Sequence, residues 1–309
     1  MFSALLRRGG QALLTLLAAA VVVWSLQLVA PGDPARRVLG TLGFANPTDE
    51  QIAATRHELG LDVPAPQRFL RWLSDALTGS FGTSWRTGRP VTAELADRLP
   101  ATLRLAVVAL LFALVLAIPL ALIAARWRGR VPDIGARTVM FLGAATPSFV
   151  VGTVVLELIV LRGGIGRVLA DGSWGGAVLP AIPLALGAGA GWARVLRTSL
   201  VEVSDASFIQ VSRGRGATPL RRLLVHAVPS ALPALLAAIG LTVGSLLAGA
   251  AVVETVFTWP GIGRYLIEAI GARDVPVVQA TVLLGVLGYV VVSTIVDGVT
   301  IAITGKAKR

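Results

Sequence analysis

Cysteine is absent from the 309 residues, which excludes a disulfide framework, a thiolate metal site and a cysteine nucleophile. Histidine occurs only as His57 and His226, too few for a histidine metal cage. Charge is scarce as well, at 15% of residues against 55% hydrophobic. The nearest approach to a phosphate-binding G-x-x-x-x-G-K-[ST] loop is Gly305-Lys306, which has Ala307 after it and Thr300 where the first glycine belongs. His57-Glu58 lacks the second histidine of a zinc-protease helix, because Leu61 stands in that place. No G-x-S-x-G elbow occurs either. The chain carries no self-contained catalytic constellation, so no enzyme activity, cofactor or metal is expected of it.

What it has in abundance is long apolar runs. Stretches of about 20 apolar residues match the thickness of a bilayer, and six spans are expected at 12–30, 101–125, 138–161, 176–195, 231–253 and 277–303. The fold class is therefore all-α, a polytopic membrane protein embedded in a lipid bilayer. The fourth span holds Pro180, Pro183, Gly187, Gly189 and Gly191, residues tolerated where neighbouring helices satisfy the freed backbone groups, so a kinked helix inside the bundle is expected. The first run follows Arg7 and Arg8, exceeds the length of a signal-peptide core and lacks an A-x-A site, so it reads as an uncleaved span.

A formal net charge of +11 invites a nucleic-acid reading, but the basic residues flank apolar spans and topology accounts for them. With a cytoplasmic N-terminus, the inside segments carry Arg7 and Arg8, then Arg126, Arg128, Arg130 and Arg137. Next come Arg194, Arg197, Arg213, Arg215, Arg221 and Arg222, and finally Lys306, Lys308 and Arg309. The short outside loops carry only Arg162, Arg167, Arg264 and Arg273. The positive-inside rule places both termini in the cytoplasm.

Three regions follow: 1–30, an end and first span; 31–100, an external loop domain; and 101–309, a five-helix core. In the loop domain Thr48 and Gln51 form a capping box, Gly60 supplies the stop, and a second helix over 67–77 carries Phe69, Leu70, Leu73 and Leu77 at helical spacing before Gly79. It is either a structural cap or a landing surface for an external partner. No internal repeat is evident, unlike many ion-coupled secondary transporters, the alternative from another functional class.

The segment 199–229 breaks the pattern and closes on QVSRGRGATPLRRLLVHAVP, residues 210–229. Leu200, Val203, Phe208 and Val211 suggest one apolar side; Gly214 and Gly216 interrupt it; then Thr218 and Pro219 open a helix with Leu220, Leu223, Leu224 and Ala227 at i, i+3, i+4 and i+7, ending at Pro229. This is a helix-turn-helix elbow on the inner surface. By itself it fits either anionic lipid or a groove on another protein.

The order Gln210, Val211, Ser212, Gly216 and Pro229 resembles the E-A-A-x-x-x-G loop of binding-protein-dependent ABC transporter permeases. LVAPGDPA (28–35), LGLDVPAPQRFLRWL (59–73), GTSWRTGRPVTAELADRLPATLRLA (82–106), ATPSFV (145–150), VETVFTWPGIGRYL (253–266) and RDVPVVQA (273–280) are similar to the dipeptide, oligopeptide and nickel branch. The resemblance implies an importer for short peptides, or alternatively nickel or another small solute. It implies a second homologous permease subunit, two cytoplasmic ABC ATPases that hydrolyse ATP, and an extracytoplasmic solute-binding protein, all at a bacterial cell membrane. Carried onto this chain, the ATPase-docking elbow comprises Ser204, Asp205, Phe208, Gln210, Val211, Ser212, Arg213 and Gly216. The outer mouth comprises Phe257, Trp259, Pro260, Gly261 and Gly263, whose aromatics alternatively anchor the interface. Departures are Gln210-Val211-Ser212 in place of E-A-A, Arg104 in the second span, the ending TGKAKR and the short segment 162–176. Glu157 either lines the pathway or, the preferred reading, reaches the interface beside Arg162. The GxxxG of Gly240 and Gly244 reads as close helix packing.

Overall fold

Helices make up nearly every element of the computed structural model, which describes residues 2–29, 32–165 and 170–307. Ala30, Arg167, Lys308 and Arg309, which entered the expectations above, lie outside the described residues. In order come α1 (Phe2–Val29), α2 (Pro34–Thr41), α3 (Asp49–Glu58), α4 (Ala65–Leu77), α5 (Val91–Arg126), α6 (Val131–Ala145) and α7 (Ser148–Val155). A π-helical stretch, Leu156–Arg162, extends α7. Then follow α8 (Val178–Ser204), α9 (Ser207–Gly214), α10 (Pro219–Arg221), a second π-helical stretch (Arg222–Ala227), α11 (Val228–Val256), α12 (Ile262–Ala272) and α13 (Val275–Ala307). Among the described residues there is no strand, only a bridge between Thr83 and Pro90.

Among the described residues, five helices are long and apolar enough to cross a membrane, or six if α6 and α7 with its π extension count as one. That pair is bent by 97°, which corrects the expectation of one helix over 138–161. The cause is local. Thr146 is extended, as the residue before a proline prefers, and Pro147 has no N–H with which to continue the helix.

The chain divides into two compact units, Met1–Leu99 with Tyr265–Gly288, and Pro100–Arg264 with Tyr289–Arg309. In the first unit, Asp33 caps α2 through the Ala35 amide and pairs with Arg56 at 2.9 Å. Ala35, Leu39 and Ile52 bury one another between α2 and α3. Both halves of the Thr48–Gln51 capping box form, and Gly60 takes the positive φ, +65°, that ends α3. Helix α4 begins two residues earlier than expected, because Pro66 suits the first turn. Its spacing misled in one respect: Leu70 and Leu77 are exposed, and Phe69 alone turns edge-on to Trp24, 5.3 Å between ring centres. The Asp274 carboxylate accepts from the Ser84 hydroxyl and from the amides of Trp85 and Arg86, tying the turn after α4 to the start of α13. Buried Glu94 takes the Arg98 guanidinium at 2.9 Å and the Thr87 hydroxyl at 2.9 Å. Arg98 lies 4.1 Å above the Tyr265 ring, whose phenol is pushed above its ordinary pKa by burial and by the Glu94 carboxylate.

The second unit is organised around α8, whose burial matches the expectation for the fourth span: Ala181, Leu184, Ala185, Ala188, Trp192, Ala193, Leu196 and Leu200 are all buried. Helix α5 contributes buried Ala113, Ala117, Ala121 and Ala124, and small residues allow backbones to approach closely. A Cβ on Gly189 would lie 2.8 Å from the Ala113 carbonyl oxygen. The GxxxG glycines act within the chain, since a Cβ on Gly240 would come 3.1 Å from Val296 of α13.

Candidate functional site

Helix α8 stops at Asp205, and Ala206 is extended, so α9 leaves in a new direction. That break shifts the helical phase and corrects the apolar side expected from Leu200, Val203, Phe208 and Val211. Leu200 is buried, but Phe208 and Val211 are 47% and 55% exposed, and the anchor is Ile209 at 5%. Ile209 joins Leu200, Leu223 and Ala227 in one hydrophobic cluster. Gly216 then adopts φ +81°, and Thr218 caps α10 by accepting from the Arg221 amide at 3.3 Å.

The helix that starts at Pro219 does not end at Pro229. The π-helical stretch Arg222–Ala227 carries it unbroken into α11, because the wider turn already departs from the i→i−4 ladder in which the missing proline N–H would leave a gap. Leu220 and Leu224 are exposed while Leu223 and Ala227 are buried, so the expected stripe is only half buried.

Of the elbow residues read from the sequence, Phe208, Val211, Ser212 and Gly216 gather around one cavity of about 580 Å³, together with Arg215 and Arg221. Arg213 faces a different hollow beside Arg126 and Arg222. Ser204 donates back to the Leu200 carbonyl at 2.6 Å, and Asp205 pairs with Arg128 at 3.0 Å on an exposed surface. Gln210 folds toward the Asp205 carbonyl at 3.4 Å. The elbow therefore presents a concave patch that mixes apolar Phe208 and Val211 with basic Arg215 and Arg221.

A pair joining α6 to α8, the helix that leads into the elbow, was missed by sequence reasoning. Asp133, 1% exposed on α6, accepts from Arg197 of α8 at 2.8 and 2.7 Å and from the Gly129 amide at 3.0 Å. The one sequence signal was an acid in the first turn of an apolar helix. Removing one partner strands the other charge, so Asp133→Ala or Arg197→Ala is expected to destabilise the chain by about 3 kcal/mol or more. Asp133→Leu with Arg197→Met is expected to lose less than the single changes added together, measured by thermal unfolding in detergent.

The loop after α11 forms a second cluster. Phe257 and Trp259 are 2% and 0% exposed, which corrects the alternative of an interfacial aromatic anchor. Glu254, fully buried, organises the loop: it accepts from the Thr102 hydroxyl at 2.8 Å and the Arg264 amide at 2.9 Å. Thr102 in turn accepts from the Ile262 amide at 2.8 Å. A Cβ at Gly261 would overlap the Glu254 carboxylate, and one at Gly263 would press on the Ala251 backbone. Pro260 packs near Gly172, and Thr258 holds a positive φ of +52°. Glu157 lies apart from both clusters, in the π-helical stretch after α7, where its carboxylate takes Arg162 at 2.9 Å on an exposed surface. The Arg104 guanidinium donates to the Gly172 carbonyl at 2.9 Å, which accounts for an arginine inside the second span.

The described residues form an all-helical chain with several apolar helices long enough to cross a membrane and an anchored elbow, the class of a multi-pass membrane protein. The chain belongs to the family of binding-protein-dependent transport system inner membrane components: residues 117–308 match the family model, and residues 1–106 match that of its N-terminal region. It is thus an inner-membrane permease subunit of an ABC importer, which sets aside the ion-coupled alternative. It is 36% identical over 284 residues to the glutathione transport system permease protein GsiC of Salmonella paratyphi A (strain ATCC 9150 / SARB42), covering 92% of this chain and 91% of that one. The glutathione transport system permease protein GsiC of Escherichia coli (strain K12) is 34% identical over 283 residues, with the same coverage of 92% and 91%. Among solved structures, the MetNI methionine ABC transporter in inward-facing conformations aligns with a TM-score of 0.57 at 22% identity, over 68% of this chain and 96% of that chain, a likeness of fold.

Proposed function

We propose that this permease carries short peptides, glutathione-sized molecules among them, across the inner membrane after delivery by an extracytoplasmic binding protein. The observation that carries the substrate class is the 36% identity, over 92% of the chain, to a permease of a glutathione transport system. Nickel or another small solute is the second reading, favoured by the motifs shared with the dipeptide, oligopeptide and nickel branch.

Both termini face the cytoplasm, as the distribution of basic residues supports. The elbow then lies on the cytoplasmic side, where its patch of Phe208, Val211, Ser212 and Arg215 fits a groove on an ATPase subunit. Two such ATPases hydrolyse ATP, and a second, homologous permease completes the pathway. The loop of Phe257, Trp259, Pro260, Gly261 and Gly263 sits at the external mouth, and the domain over 31–100 receives the binding protein.

The test is reconstitution with the ATPases, the second permease and the binding protein encoded beside this chain. Labelled di- and tripeptides and glutathione are expected to stimulate hydrolysis and to accumulate in vesicles only with ATP. Accumulation of nickel but of no peptide would replace the peptide reading with the second one.

A further inference from the structure

The first compact unit contains two neighbouring hollows, apart from the elbow and from the loop after α11. One, of about 220 Å³, lies between the ends of α1 and α4 and the start of α13, and sets Arg68, Arg71, Asp75 and Gln279 among aromatic and apolar neighbours such as Trp72. The other, of about 520 Å³, is almost wholly apolar and is lined by α1, α4, α5 and α13, with Leu13, Leu17, Leu77, Leu99 and Leu284 among its residues. Phe81 lines both, so the two are neighbours separated by one side chain.

The smaller hollow is unsatisfied in a particular way. Gln279 is 4% exposed, and its Nε2 has no hydrogen-bond partner. The indole Nε1 of Trp72 is likewise buried without one. A buried donor left unpaired is unfavourable, so two in one small cavity call for acceptor oxygens from outside the chain. The charge agrees. Arg68 and Arg71 face one carboxylate, Asp75, leaving the mouth basic. Arg68 has only weak company, the Gln27 amide oxygen at 3.4 Å and the Trp24 ring at 5.9 Å. Burial and neighbouring Arg56 lower its pKa, as befits a cation short of counter-charge.

Phosphate oxygens would accept from both orphaned donors and both guanidiniums. The leucine groove decides where that phosphate comes from: Leu13, Leu17 and Leu77 are exposed there at 59%, 42% and 83%, in a wall that joins α4 to the membrane-spanning helices α1, α5 and α13. We propose that the two hollows together hold one phospholipid, its phosphate against Arg68, Arg71, Trp72 Nε1 and Gln279 Nε2 and an acyl chain in the leucine groove. Such a lipid fastens α4 of the loop domain to α1 and α13. The site does not depend on which solute is carried.

The test is made on the assembled transporter, extracted from a membrane of known phospholipid composition, washed in detergent and weighed by native mass spectrometry. Wild type is expected to keep one phospholipid for each copy of this chain. Arg71→Glu reverses a charge at the mouth, and Leu77→Glu places one in the groove; both residues are exposed, so both variants fold. Each is expected to lower occupancy by about tenfold or more. Gln279→Leu removes an unpaired buried amide, so it is expected to bind lipid more weakly while its lipid-free melting temperature stays level or rises. Excess inorganic phosphate is expected to leave the lipid in place, because the groove retains the chain. Four results would each overturn the proposal: no retained lipid, retention indifferent to all three variants, displacement by phosphate alone, or a Leu77→Cys chain that cross-links to the second permease across the groove.

Discussion

Gly216→Val is expected, on the proposal that the elbow docks onto ATPase subunits, to leave the subunit in the membrane and reduce uptake by about tenfold or more while hydrolysis continues. The reasoning separates conformation from space. Gly216 has φ +81°, yet a Cβ built on it meets nothing within 4 Å, so no clash opposes a larger side chain. The penalty is purely backbone strain, about 1–2 kcal/mol for an ordinary L-residue in the left-handed region and more for a β-branched one. That strain is relieved by moving the turn, which redirects α9 relative to α10 and takes Phe208 and Val211 away from their positions beside Arg215 and Arg221. Gly216→Asn is the control, since asparagine tolerates positive φ; it is expected to keep most of the uptake. Reconstituted vesicles with paired uptake and hydrolysis assays provide the measurement. Equal uptake by valine and asparagine variants would show that the turn's conformation does not transmit force.

The spans were legible because a bilayer demands long apolar runs, and a hydrophobic run is local information. The capping box at Thr48 and Gln51, the stop at Gly60 and the cap at Thr218 were legible for the same reason, each set by residues within one helical turn. Phase was lost wherever the helix changed type. Pro147 and the π-helical stretch of Arg222–Ala227 each alter the direction in which later side chains point, and the periodicity of Phe208 and Val211 broke at Ala206 in the same way. Contacts between distant residues were not legible at all: Asp133 with Arg197, Thr102 with Glu254, and Ser84 with Asp274 join segments that sequence spacing cannot align. The grouping of 265–288 with 1–99 is of that kind too. It was the family motifs, TWPGIG among them, that drew attention to the loop after α11; the buried carboxylate at its centre came only from the packing.

Gly261→Ala is expected to be among the most damaging single-methyl additions in the chain. Here the requirement is space, since Gly261 has no positive φ, but a Cβ there would enter the Glu254 carboxylate. Overpacking of this sort costs about 1–3 kcal/mol. It also pushes Glu254 away from Thr102 and from the Arg264 amide, which together hold the loop against the start of the second span. Glu254→Ala removes the carboxylate instead, leaving those two donors unpaired in a buried site at about 1–3 kcal/mol each. Either change is expected to lower the melting temperature and bring uptake close to background. The double variant separates this mechanism from general fragility: with the carboxylate gone, the alanine at 261 has room, so the combined loss is expected to fall well short of the two single losses added. Fully additive losses, or a Gly261→Ala permease that behaves as wild type, would mean that the close packing of Gly261 on Glu254 does not shape the loop, and that Trp259 and Phe257 are held by their apolar neighbours alone.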